Sequence, residues 1–221
     1  NNPRNPVINT RSFGESPEAV GHLGAAFVRG LRAGGMLATL KHFPGHGDTD
    51  VDSHLGLPII KQPRERLEGV ELAPFREGIA AGADAVMIAH IQLPALDAAE
   101  FSPATLSRPI VTGLLRGELK FDGLIYTDSM GMDAISRRYS PGDAAVLAIR
   151  AGNDVVLHSP DDAAAAVGIK TAVEKGELPI AQVEASVRRI LRAKARLGLY
   201  KTKLVALDDV PKRVGGRPNA A

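Results

Sequence analysis

Met36-Leu-Ala-Thr-Leu-Lys-His-Phe-Pro-Gly-His-Gly-Asp-Thr-Asp-Val-Asp-Ser-His54 joins an apolar run to a loop crowded with acid/base side chains. The run 36–40 is short and entered through Gly34 and Gly35, which predicts a buried strand. Lys41 and His42 follow at its C-terminal end. Pro44, Gly45 and Gly47 argue against a helical continuation and let the chain bend back over that strand end. In an extended segment Asp52 and His54 project to the same side, so the carboxylate can orient the imidazole and stabilise its charge. Acid/base catalysis needs such a pair.

The residues of this loop also permit plainer readings. Asp48, Asp50 and Asp52 imitate the start of a calcium loop, but the sixth position is Ser53 instead of Gly and the twelfth is Ile59 instead of Glu. His42 and His46 would suit zinc on a helix, which Pro44 and Gly45 interrupt. A polar loop that only caps a strand is the third possibility.

The same arrangement recurs along the chain. Apolar runs at 83–89, 123–127 and 154–157 lead to His90, Asp128 and His158, so each expected strand ends in an ionisable group. Apolar positions at helical spacing predict helices over 17–33, 65–81, 142–151 and 162–175, with a last one at 180–198. Ser16-Pro17, Ser140-Pro141 and Ser159-Pro160 supply a capping hydroxyl before a proline, and Gly34, Gly82 and Gly152 close three helices. Strands alternating with helices predict an α/β protein with parallel strands, whose functional groups gather at the C-terminal strand ends.

Composition sets outer limits. With 221 residues, 44% hydrophobic and 24% charged, the chain can build one sizeable core, and no apolar stretch nears the ~20 residues of a membrane span. The absence of cysteine excludes disulfides and thiolate chemistry and fits a cytoplasmic location. Residues 181–221 hold ten Lys/Arg against three carboxylates, but the interleaved Val187, Ile190 and Leu191 read as the apolar side of a helix with a solvated basic face. No nucleic-acid partner is expected. The organisation expected is one domain over 1–200 and a basic, loosely held tail over 201–221.

Four segments together resemble β-N-acetylglucosaminidases of glycoside hydrolase family 3: residues 41–54, Asn5-Pro-Val-Ile-Asn-Thr-Arg-Ser-Phe-Gly14, Val86-Met-Ile-Ala-His90 and Tyr126-Thr-Asp-Ser-Met130. The likeness spans about residues 1–200 and is to the single-domain bacterial type. It implies a (β/α)8 TIM barrel, of which this chain would hold the C-terminal portion, about four or five β/α units. It further implies Asp128 as catalytic nucleophile, His54 as general acid/base with Asp52 as its partner, and Arg11, Lys41 and His42 as substrate-binding residues. The implied substrate is an N-acetylglucosamine-terminated glycan or muropeptide, cleaved with retention during peptidoglycan recycling, with no metal or organic cofactor. Phosphorolysis, or carbohydrate binding without turnover, are the alternatives.

Retention requires a carboxylate on the sugar's anomeric face, and Asp128 is the acidic residue set just past an apolar strand. Its plainer role would be to cap the following turn. His90 and His158 could touch ligand or be hydrogen-bonded rim residues, and His46 is expected to shape the loop. Gly45, Gly47 and Gly56 flank the acid/base pair, so residues 43–56 are expected to close over bound sugar. A whole barrel takes about 250 residues, so the strands preceding Asn1 are expected on a longer polypeptide.

Overall fold

Three parallel strands, β1 (Thr39–Phe43), β2 (Ala85–Ile88) and β3 (Leu124–Thr127), form the sheet in a computed structural model that describes residues 2–3, 5–49, 56–202 and 204–214. β2 lies in the middle. Alternation sorts the strands into two faces. Val86, Ile88, Ile125 and Thr127 are buried beneath the helices, whereas Thr39, Met87 and Tyr126 are half-exposed on the other face, where Tyr126 Oη donates to Thr39 Oγ1 at 3.0 Å. Helices Arg64–Gly69, Ala73–Ala80 and Pro109–Glu118 carry Leu67, Phe75, Ile110, Leu114 and Leu115 into one core with Phe43, Val86, Ile88 and Ile125. The expected α/β architecture, an arc of a (β/α)8 barrel, is the one observed.

The strand boundaries differ from the expected ones for reasons of pairing. Met36 is exposed beyond the Gly34-Gly35 turn, and the first strand runs from Thr39 to Phe43, so Lys41 and His42 lie within it rather than after it. The register advances three residues in β1, from Leu40 to Phe43, against two in β2, from Val86 to Ile88. This bulge sets both Lys41 and His42 opposite Met87. β2 ends at Ile88, two residues short of His90. The run 154–157 makes one parallel bridge, Tyr126 with Val155, and is no full strand, because Leu157 N–H donates to the Thr127 hydroxyl at 2.9 Å instead of to main chain.

The helices hold where local caps specify them. Ser16 and Ser140 cap Pro17–Ala33 and Pro141–Ala151 by accepting from Ala19 N–H and Asp143 N–H. Asp162–Glu174 is instead capped by Asp161, whose carboxylate accepts from Ala164 N–H at 2.9 Å; the Ser159 hydroxyl turns to the Asp161 main chain. The single helix expected over 65–81 is two, Arg64–Gly69 and Ala73–Ala80, because Pro74 begins a new first turn and the buried Leu72 fills the corner. Pro109–Glu118 was not anticipated. Its wide turns, with Leu119 N–H reaching Leu114 O, accommodate Gly113 and Gly117, which interrupt the ordinary helical pattern. Ile180–Arg196 follows as expected, and short helical turns occupy Leu207–Asp209 and Val210–Arg213.

Two close contacts fix the outer layer. Gly142 and Gly168 meet so closely that a Cβ on Gly168 would lie 2.9 Å from the Gly142 backbone. Asp154, with a fully buried side chain, accepts from Arg116 at 2.6 Å, Ser186 at 2.8 Å, Arg189 at 3.2 Å and Ile125 N–H at 2.9 Å, tying Ile180–Arg196 to β3. Among the described residues no helix is long and apolar enough to cross a membrane. Removing one partner of a buried ion pair costs about 3–5 kcal/mol, and the partial exposure of both arginines places Asp154→Ala near the lower figure, about 3 kcal/mol in urea unfolding. A loss under about 1 kcal/mol would show the cluster to be dispensable.

Candidate active site

The ends of β1 and β3 converge on a cavity of about 130 Å³ lined by Val7, Arg11, Lys41, His42, His46, Met87 and Asp128. Four of the residues named from sequence therefore share one site. They arrive by three routes. Lys41 and His42 are delivered together by the bulge, and Met87 is the residue of β2 facing that bulge. Asp128 follows the last residue of β3, held by Asp128 N–H donating to Ile88 O at 2.9 Å. Arg11 ends a short 3-10 turn, Asn9–Arg11, in the segment that lies against the loop.

Asn5, which no motif had marked as functional, secures that segment. Wholly buried, its amide donates to His46 O at 2.8 Å, Gly47 O at 3.1 Å and Thr49 Oγ1 at 3.1 Å, while its carbonyl accepts from Val7 N–H and Ile8 N–H. In sequence Asn5 is only the first residue of the Asn5–Gly14 segment, with no role of its own. His46 is buried with Nδ1 2.9 Å from Thr49 Oγ1, the loop-shaping position expected of it. On the outer side, Arg66 clasps Glu71 at 2.7 and 2.6 Å and approaches Asp48 at 3.8 Å, bracing the loop from the start of the Arg64–Gly69 helix. Asp52 and His54 lie outside the described residues.

The electrostatics of the cavity centre on His42 and Asp128. His42 Nε2 lies 3.8 Å from Asp128 Oδ2. Burial drives the imidazole pKa down to about 4; Asp128 opposes this, while Lys41, His46 and Arg11 add to it. At neutral pH His42 is consequently an uncharged hydrogen-bonding ring. Asp128 Oδ1 accepts from Ser129 N–H at 2.8 Å, which fixes the carboxylate with Oδ2 on the His42 side. A carboxylate, two cations and a neutral imidazole around a small cavity suit a polyhydroxylated ligand that develops positive charge near the carboxylate. Among the described residues no three His, Asp or Glu side chains converge as a metal site, and Asp50 and Asp52 of the calcium-like spacing lie outside them.

His90 and His158 lie outside the cavity lining. His90 is wholly buried between Thr105 and Ser129, and His158 meets the Ser129 hydroxyl. A larger, mainly apolar cavity of about 600 Å³ opens beside the first, among Phe13, Phe27, Leu31, Leu40 and Phe75.

Residues 1–193 match the glycosyl hydrolase family 3 N-terminal domain. β-Hexosaminidase A of Pseudoalteromonas piscicida is 41% identical over 216 residues, covering 89% of this chain and 36% of that protein. A family 3 β-N-acetylglucosaminidase structure from a Paenibacillus strain superposes with a TM-score of 0.89 at 47% identity, over 93% of this chain and 40% of that one. A β-glucoside phosphorylase structure superposes with a TM-score of 0.91 at 29% identity, over 99% of this chain and 41% of that one. The chain spans roughly a third to a half of the length of such curated relatives.

The depressed pKa of His42 has a measurable consequence. The unfolded chain takes up a proton near pH 6.5 and the folded ring only near 4, so this residue's contribution to stability is complete above 6.5 and is lost as pH falls through that window. Urea unfolding between pH 7 and 4 is expected to show a shallower acid decline for His42→Asn than for the unaltered chain. Parallel declines would mean that His42 titrates normally when folded.

Proposed function

The chain belongs to glycosyl hydrolase family 3, and on that premise we propose that it carries the active site of a retaining exo-β-N-acetylhexosaminidase. The observation that carries this reading is the strand-end carboxylate of Asp128, anchored through Oδ1 and facing Arg11, Lys41 and His42 across the cavity. Its proposed substrates are muropeptides bearing a terminal N-acetylglucosamine, in a cytoplasmic step of cell-wall recycling. The hexosaminidase relatives support the sugar; the polar lining supports a hydroxyl-rich ligand.

In the proposed reaction Asp128 attacks the anomeric carbon while His54, protonated and oriented by Asp52, gives its proton to the departing glycosidic oxygen. The glycosyl ester so formed is opened by water, which loses a proton to His54 as its oxygen bonds to the anomeric carbon and the Asp128 carboxylate departs. Arg11, Lys41 and neutral His42 hold the sugar hydroxyls. No metal or organic cofactor enters this scheme.

A second reading, phosphorolysis, draws on the likeness to the β-glucoside phosphorylase. An imidazole acid/base would repel an incoming phosphate less than a carboxylate would. Release of sugar in phosphate-free buffer favours hydrolysis, and a sugar phosphate formed only with phosphate present favours the alternative.

Kinetics on two leaving groups test the roles. Asp128→Ala is expected to reduce turnover to background with the fold retained. His54→Ala is expected to lose about 10²- to 10⁴-fold on a poor leaving group and far less on an activated aryl N-acetylglucosaminide, with Asp52→Asn a milder copy. Equal losses on both substrates would make His54 a binding residue rather than a proton donor.

A further inference from the structure

Ser129, one residue beyond Asp128, has all three of its polar groups engaged. Its N–H donates to Asp128 Oδ1 at 2.8 Å, its carbonyl oxygen meets His90 Nε2 at 2.9 Å, and its hydroxyl meets His158 Nδ1 at 2.7 Å. A carbonyl has no proton to give, so His90 Nε2 is the donor. The other ring nitrogen of His90 lies 2.7 Å from Thr105 Oγ1, and that hydroxyl oxygen is also within 2.8 Å of Ala89 O. His90 and Thr105 are both wholly buried, so this chain of contacts sits where a lost partner cannot be replaced readily by water.

The main chain on either side is fixed as well. Asp128 N–H donates to Ile88 O and Met130 N–H to Leu157 O. His158 holds its backbone at φ 51°, in the left-handed region, while its ring meets Ser129. Such a conformation carries a cost for a side chain other than glycine and persists where surrounding contacts hold it.

We propose that His90 and His158 are positioning residues for Asp128. They clamp Ser129 by its carbonyl and its hydroxyl, so that the Ser129 N–H pins one carboxylate oxygen and leaves the other directed at the sugar. The proposal rests on the reading of Asp128 as nucleophile, but the clamp itself is a geometric claim that can be measured without turnover.

Amide hydrogen exchange and kinetics on the same variants form the test. His90→Leu keeps bulk but removes the donor, His90→Gln restores an N–H donor, and Thr105→Val loosens the ring without removing it. Relative to Val86 and Ile88 in β2, the Ser129 amide is expected to exchange about tenfold faster in His90→Leu, the equivalent of losing one modest hydrogen bond. kcat/KM on an aryl N-acetylglucosaminide is expected to fall by about tenfold to a hundredfold, through kcat rather than KM, as for a misplaced reacting group. His90→Gln should recover much of both, and His158→Ala should give a smaller form of each. Thr105→Val decides the matter should His90→Leu not fold.

Unchanged Ser129 exchange in the variants would overturn the clamp. So would faster exchange with undiminished kcat, or a uniform rise across β2, which marks general destabilisation. A wild-type chain without glycosidase turnover would count against the proposed function, and the exchange arm would then decide the clamp alone.

Discussion

The parallel register of β2 with both neighbours is the constraint on which the site depends. Ala85 to Ile88 pair residue by residue with Leu124 to Thr127, so the end of β3 is fixed relative to β2 and Asp128 emerges beside Ile88. On the other side β1 pairs through Thr39 and Leu40, then again at Phe43, with one additional residue between. Without that bulge, alternation would send Lys41 and His42 to opposite faces. With it, both reach the cavity opposite Met87, and His42 comes within 3.8 Å of Asp128. The apolar faces of Val86, Ile88 and Ile125 beneath the helices hold this register, since a slip of one residue would expose them.

The charge balance follows from where the strands end. Lys41 and Arg11 are exposed at the rim, while His42 is largely covered and so surrenders its proton. A buried imidazolium beside two cations would cost more than its attraction to one carboxylate returns, which is why burial prevails over Asp128. The outcome is a cavity with fixed positive charge at its entrance and a neutral ring beside the carboxylate. The loop from Pro44 to Thr49 forms the opposite wall, held by Asn5 within and by the Arg66–Glu71 pair outside.

What could be read in sequence divides along the line between local and non-local physics. Ser16-Pro17 and Ser140-Pro141 specify their helix starts because cap and first turn are neighbours in the chain. Asp161 displaced Ser159 as a cap because two local candidates competed and the carboxylate reached Ala164. The limits of β1 were missed by three residues, since the bulge depends on a partner strand distant in sequence. The helix Pro109–Glu118 was hidden by Gly113 and Gly117. The grouping of Arg11, Lys41, His42 and Asp128 came from family likeness, because no spacing rule joins residues on three separate segments. Ser129 and Asn5 lie within segments that carry the family likeness but had no role of their own, because a half-buried serine or a buried asparagine declares its partners only in three dimensions.

The central claim is that Asp128, at the end of β3, is the group that bonds to the sugar. Peptide mapping by mass spectrometry after incubation with a slow, fluorinated N-acetylglucosaminide tests it most directly. The account predicts a single glycosyl adduct on the peptide containing Tyr126-Thr-Asp-Ser-Met130, located on Asp128 and absent from Asp128→Asn. An adduct on another carboxylate, or efficient turnover with none trapped and inverted product configuration, would contradict it.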